Sequence, residues 1–318
     1  MSVLRSPEGR LAIIAIAVLA LMTLLAGERF VSPQNLTSMA FQFPEFAILA
    51  LAMTVAMLTG GIDLSVVGTA NLSAVIAATL MASLAGDGSG ALIVLGACAL
   101  ALAVGLAAGL FNGVLVAVFG LPPILATVGT GLVYTGLALV ITGGPAVLGL
   151  PPAAAWLGNG RVLGVPVPLI VFAILALIVG IVLARTPFGM KTRLFGTNPL
   201  AARFAAMDVR ATLLKVYAFC GVLSAVSGLI VMSRANSAKA DYGSSYLLLA
   251  VLIAVLGGVN PYGGYGRVIG VVLAVVTMQM LSSGLNLLGV TNFAREMIWG
   301  GLLIAVMLLN TLATRSTR

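Results

Sequence analysis

No Asp, Glu, Lys or Arg occurs between Asp87 and Arg161. A chain that hides a single core from water scatters charge over its exterior, so an uncharged interval of this length has no place on a soluble surface. A bilayer's hydrocarbon core is about 30 Å thick and takes roughly 20 apolar residues per helix, so the interval holds two or three crossings. The rest of the 318 residues agrees: 61% are hydrophobic and 8% charged, against roughly 45–50% and about 25% in soluble domains. A soluble enzyme, a nucleic-acid binder and a disordered tail are excluded together. The net charge of +8 comes from 16 basic residues spread along the chain, which read as topology signals rather than a polyanion surface. With no histidine and two separated cysteines, Cys98 and Cys220, metal clusters and disulfide frameworks lack parts. Transport and a purely structural membrane role remain.

The first apolar run, 11–26, follows Arg5 and Arg10. A cleaved signal peptide ending near Ala26 is one reading; a signal anchor kept as the first helix is favoured, because the later crossings need no cleaved leader. Further spans are expected at 41–59, 66–85, 91–119, 124–141, 168–184, 213–232, 246–256, 268–288 and 297–312. The fold class is therefore an all-α polytopic membrane protein of about ten transmembrane helices, several short or broken, in a single domain over residues 1–318. The 38 glycines let helix backbones approach where lipid supplies no hydrophobic drive between helices. Gly105, Gly109 and Gly113 recur on one helical face, as packing within one bundle or, less favoured, as a dimer seam. With the N-terminus inside, eleven basic residues fall on the cytoplasmic side and five, Arg29, Arg161, Arg234, Lys239 and Arg295, outside. Both termini are then cytoplasmic.

Membrane enzymes need acid-base, nucleophilic or metal groups within their spans. Here no carboxylate pair stands at helical spacing, and Glu45 and Asp63 are the only acids close to a span in the first half apart from Glu28 and Asp87 in loops. No phosphate loop occurs either. An ion-coupled secondary transporter of a small polar solute stays as the alternative, because backbone carbonyls at helix breaks can bind sodium. If solute moves uphill otherwise, the energy source lies on another chain.

The basic loop 185–215 contains a helix start: Asn198 as N-cap, Pro199 at the first helical position, then Leu200, Ala201, Ala202 and Arg203. It reads either as a docking helix for a partner or as an ordinary positive-inside loop. A bulky charged replacement of Ala202 is expected to separate the two. Two glycine breaks share one grammar: Gly60 and Gly61 before Asp63 and Ser65, and Gly257 and Gly258 before Gly263 and Gly264. Asp63 and Ser65 serve as helix caps on the bland reading; both breaks also suit hinges or close backbone approaches at the mouth of a path. Asn71, Asn112, Thr127, Thr130, Gln279, Ser282 and Asn286 place uncharged polarity in the spans. Such groups glue helices together, or meet the hydroxyls of a neutral solute. No aromatic cluster is evident near them, so selectivity is expected on a soluble binding protein.

Five segments in order carry a resemblance: Gly61-Ile62-Asp63-Leu64-Ser65; Gly196-Thr197-Asn198 with Ala201-Ala202-Arg203; Val255-Leu256-Gly257-Gly258; Gly263-Gly264 with Gly266-Arg267; and Gly284-Leu285-Asn286-Leu287-Leu288-Gly289. From about residue 35 to 309 the chain resembles the ribose-type permeases of ATP-binding cassette (ABC) importers. The resemblance implies a type II-like permease bundle, not an enzyme, in a bacterial inner membrane, importing a pentose, hexose, deoxysugar, polyol or autoinducer-2. It also implies a second permease chain, identical or related, a periplasmic solute-binding protein, and cytoplasmic ATPase subunits that hold ATP and magnesium; this chain holds no cofactor. Gly196, Asn198, Ala201, Ala202 and Arg203 would form the coupling segment, with Gly60, Gly61, Asp63, Ser65, Asn71, Asn112, Gly257, Gly258, Gly263, Gly264 and Asn286 along the pathway or its hinges. Pro199 and Leu200 stand where the family commonly has a Glu, and Ala206 near a usual Gly. Tyr246-Leu247-Leu248-Leu249 replaces the Tyr-Glu-Leu-Asp of many ribose-type members. With Asn260-Pro261-Tyr262 this resembles the autoinducer-2, deoxysugar and polyol branch.

Overall fold

The computed structural model describes residues 7–84 and 90–315, with side chains from residue 8 through residue 308. Ala85, the expected end of the third span, and the charges of Arg5, Asp87 and Arg318 lie outside the described residues. The apolar runs close into helices α1 (Pro7–Ala26), the single turn α2 (Glu28–Val31), α3 (Pro33–Met57), α4 (Val66–Leu84), α5 (Gly90–Ala117) and α6 (Pro123–Thr142). A short turn α7 (Trp156–Asn159) and the hairpin β1 (Arg161–Val162)–β2 (Val165–Pro166) lead to α8 (Val167–Arg185), α9 (Pro187–Thr197) and α10 (Pro199–Phe204). Then come α11 (Val209–Ala235), α12 (Tyr246–Leu256), α13 (Val268–Leu287) and α14 (Asn292–Arg315). Short polar residues start several of them by accepting otherwise unpaired amides. Ser32 accepts from the Asn35 amide at 3.2 Å, Asn198 from Ala201 at 3.0 Å and Asp208 from Ala211 at 2.9 Å. Pro33, Pro187 and Pro199 fill first-turn positions, where a missing N–H costs nothing.

All ten expected spans are helical, and eight helices among the described residues are long and apolar enough to cross a membrane. Two expected spans stand outside these eight: 297–312, within α14, whose side chains beyond residue 308 are not among the described ones, and Tyr246–Leu256, which corrects the count of full crossings. Its 11 residues extend only about 16 Å, half of a hydrocarbon core. Irregular chain at 236–245 precedes it, and protein covers that chain: Ala238 and Ala240 are each 1% exposed. Where it is buried, its backbone finds partners, as buried irregular backbone must. Ala238 bridges to Val147, and the Asn71 side-chain amide donates to the carbonyls of Ala240 and Tyr242, both at 2.8 Å. Asn71, expected along the pathway or its hinges, tethers α4 to this chain.

α3 is the axis of the bundle, buried continuously from Pro44 to Met57. α11 lies antiparallel beside it: Cys220 donates to the Ala52 carbonyl at 3.2 Å and Ser227 to the Glu45 carbonyl at 2.6 Å. The glycine stripe of α5 packs on α11. A methyl group on Gly109 would collide with the Tyr217 carbonyl, and Gly105 lies against Gly221, so the stripe serves packing within one bundle. Outward faces of α5, α6 and α8 stay apolar, with Leu95, Leu132, Val140 and Leu177 exposed, as suits contact with lipid.

Candidate functional site

One end of the bundle collects the basic residues. Arg267, just before α13, pairs with Glu8 of α1 at 3.1 Å, and α8 to α10 carry Arg185, Lys191, Arg193 and Arg203 to the same end. Here the breaks that read separately in the sequence meet. Gly60, Gly263 and Gly264 all have positive φ, 77°, 94° and 90°, a region that L side chains rarely adopt. The Gly264 amide donates to the Leu58 carbonyl at 3.0 Å. A methyl on Gly196 would collide with that same carbonyl, and one on Gly263 would come within 2.7 Å of both the Gly196 carbonyl oxygen and the Gly60 amide nitrogen. The end of α3, the turn before α13 and the segment leading to α10 therefore stack backbone on backbone. Asn260 staples the turn, donating to the Gly263 carbonyl at 2.8 Å and accepting from the Tyr262 amide at 3.2 Å.

α10 stands on this junction with Asn198 as its cap. Ala202 is 5% exposed and faces the protein. The expectation that a charged residue at Ala202 would isolate partner docking is therefore corrected, since it would disturb the permease itself. Leu200, Arg203 and Phe204 are exposed, Phe204 at 90%, and Ala201 is also exposed. Beside them a groove of about 770 Å³ is lined by Thr59, Gly60, Phe195, Pro199, Arg203 and Asp208.

Next to the junction, Asp63 accepts hydrogen bonds from the Ser65 amide at 3.0 Å and hydroxyl at 2.6 Å. Asn112 of α5 donates to the Ser65 hydroxyl at 2.7 Å. The Gly61–Ser65 turn is thereby tied to α5. Thr127 of α6 fastens it again, accepting from the Leu64 amide at 3.0 Å and donating to the Pro123 carbonyl at 2.8 Å. Of the capping expected of Asp63 and Ser65, Asp63 accepts the amide just before α4, whereas the Ser65 hydroxyl caps no helix amide and joins Asp63 and Asn112 in a buried polar network. Gly257 packs its backbone on Gly270 and Val271 of α13, and Gly258 has φ 82°. Asn286 belongs to neither group: it is exposed in the last turn of α13, remote from Arg267.

A second polar centre, which no local sequence pattern marks, lies deeper in the bundle. Glu45, 5% exposed on α3, pairs with Arg234 at 2.8 Å and accepts from the Tyr246 hydroxyl at 2.6 Å. Arg234 was expected as an outside loop charge. It lies in the last turn of α11, and its side chain reaches back to α3. Glu45 stands twelve residues before Met57, so about 18 Å from the basic end of α3. Around this pair, Gln42, Ser245, Tyr246, Gln279, Ser282 and Arg295 line a cavity of about 340 Å³ that Phe46 and Trp299 also face. Polar and aromatic side chains thus do meet inside the bundle, contrary to the expectation from the sequence. The residues come from five separate helices, α3, α11, α12, α13 and α14, and one connection, which is why no local pattern announced them.

Residues 35–307 match the family described as branched-chain amino acid transport system / permease component. The chain is 35% identical over 267 residues to the autoinducer 2 import system permease protein LsrD of Enterobacter sp. (strain 638), covering 82% of this chain and 80% of that protein. It is 34% identical over 294 residues to the ribose import permease protein RbsC of Bacillus subtilis (strain 168), covering 92% and 89%. The LsrD protein of Yersinia enterocolitica (serotype O:8 / biotype 1B) is 32% identical over 314 residues, 96% and 93% of the two chains. No solved structure matches it.

Proposed function

Because this chain belongs to the permease-component family of branched-chain amino acid transport systems, in its ribose-type branch of sugar and autoinducer importers, we propose that it carries a sugar or sugar-like solute into the cytoplasm. It is a multi-pass permease subunit and not an enzyme; ATP hydrolysis belongs to a separate subunit. The candidate solutes are a pentose, hexose, deoxysugar, polyol or autoinducer-2. Its working assembly contains a second permease chain, two cytoplasmic ATPase subunits with ATP and magnesium, and a periplasmic binding protein. The basic end faces the cytoplasm of a bacterial inner membrane, in keeping with the positive-inside rule.

The observation that carries this reading is the stacking of Gly196 on the end of α3 and on the Gly263–Gly264 turn. α10 offers Leu200, Arg203 and Phe204 to an ATPase groove. Behind it, backbones in contact leave no slack. A push on α10 therefore reaches α3 and α13 directly, and packed interfaces of this kind shift between discrete arrangements rather than deforming continuously. Closure of the ATPases thereby drives alternating access.

Reconstitution with the partner subunits tests the proposal. ATP-dependent uptake that requires the loaded binding protein is expected, with ATPase activity rising on its addition. Uptake driven by a proton or sodium gradient in this chain alone would overturn the ABC reading in favour of a secondary transporter.

A further inference from the structure

The cavity between α3, α11, α12, α13 and α14 carries no net charge, Arg234 and Arg295 being balanced by Glu296 and by Glu45 behind Arg234. Arg234 is engaged by Glu45 at 2.8 Å, and Arg295 donates to Ser282 at 3.4 Å and to Asn292. Glu296 stands on the same wall. Of the buried polar side chains in the lining, Gln279 lacks a partner: it is 3% exposed, and its side-chain nitrogen makes no hydrogen bond within the protein. A buried amide donor is unfavourable unless something in the cavity accepts from it. Its neighbours include the Ser282 and Ser245 hydroxyls and the rings of Trp299, Phe46 and Tyr246. Few polar groups set among apolar rings, in a volume at the low end of the roughly 300–1,000 Å³ usual for small-molecule sites, is the make-up of a binding pocket.

We infer that this cavity is a transit site for a neutral, polyhydroxylated solute of monosaccharide size, with the Gln279 amide binding its hydroxyls and the Trp299 ring flanking its apolar face. Hydroxyls suit the lining because each both donates and accepts, matching an amide with both functions beside two serines. A charged solute is disfavoured because the four charges about the cavity, Arg234 with Glu45 and Arg295 beside Glu296, sum to zero and draw neither sign. The Tyr246 hydroxyl, bonded to Glu45, holds the start of α12 against this site. The inference rests on the importer reading and adds to it a place, within the membrane domain, where the solute is recognised.

Trp156 and Trp299 are the chain's two tryptophans, so Trp156→Phe leaves a single reporter in the cavity. The full chain carrying this change, in lipid nanodiscs, is titrated with D-ribose, D-xylose, L-rhamnose, galactitol and autoinducer-2. D-ribose 5-phosphate and D-glucosamine serve as charged controls. At least one neutral compound is expected to change Trp299 emission saturably, and the charged pair not to. Gln279→Leu, which removes only the unpartnered amide, is expected to raise the half-saturating concentration at least tenfold with the unfolding midpoint unchanged. Ser282→Ala, expected to raise it about threefold, replaces that variant if it fails to fold. No saturable response to any neutral compound, or a response unaltered in the folded variants, overturns the site. ATP-driven uptake in the reconstituted complex separates the two ideas. Uptake equal in wild type and Gln279→Leu removes the site and leaves the importer standing. Saturable Trp299 emission without ATPase-coupled uptake supports the site and removes the importer.

Discussion

Gly196 has no room for a methyl group, because the Leu58 carbonyl occupies the place a Cβ would take. Gly196→Ala is expected to destabilise the protein by about 1–3 kcal/mol, the usual cost of overpacking, read as a lower unfolding midpoint in detergent. At Glu45 the cost has a different origin. Glu45→Ala leaves Arg234 without its counter-charge and Tyr246 without its acceptor. Removing one partner of a fully buried pair costs about 3–5 kcal/mol. The Arg234 side chain is 30% exposed, so water screens part of that loss and about 1–3 kcal/mol is expected. Glu45→Gln keeps an acceptor for Tyr246 and should cost less in the same measurement. Residues of these two kinds differed in how far the sequence revealed them. Each glycine announced a break through its neighbours, but not its contact with another break more than sixty residues away. Arg234 misled because charge at a helix end reads as loop charge, and only the length of an arginine side chain lets it turn back into the bundle.

Among the elements, α10 and α12 depart most from what hydropathy alone describes. α10 was legible, since Asn198 and Pro199 form a helix start that needs no tertiary help. Which of its faces is free was not, because six residues make less than two turns and carry no usable periodicity. With Ala202 inward and Phe204 outward, the two faces make opposite predictions. Phe204→Ala combined with Leu200→Ser should weaken association with the ATPase subunit at least tenfold and leave the unfolding midpoint unchanged. Ala202→Glu should lower the midpoint itself. α12 was legible as a short apolar run, whereas the irregular chain before it was not, because its pairing depends on Asn71 in a distant helix. Asn71→Ala strands the carbonyls of Ala240 and Tyr242. At about 1–3 kcal/mol for a buried unsatisfied group, amide exchange across 236–245 should quicken roughly tenfold to a hundredfold, measurable by hydrogen–deuterium exchange.

For the whole molecule, the uncharged interval and the basic loop predicted a polytopic bundle with one basic end, and that end exists as a physical assembly of α3, α9, α10 and α13. The arrangement predicts opposite labelling of Leu163→Cys and Phe204→Cys, both at strongly exposed positions, 99% and 90%. In a Cys98→Ser background, an impermeant maleimide should reach the first only from the periplasmic side and the second only from the cytoplasmic side of oriented vesicles. Labelling of both from one side would reject the topology. α12 is held at one end where Gly257 rests on Gly270 and at the other where Tyr246 meets Glu45. Treated as a stiff rod of about 16 Å with its fulcrum at the glycine contact, α12 magnifies small rotations. A tilt of about 10° carries the far end by about 3 Å, farther than a hydrogen bond can stretch. Turning the glycine end by that angle is enough to part Tyr246 from Glu45, so the short helix converts a modest rotation at one face into an all-or-none release in the interior.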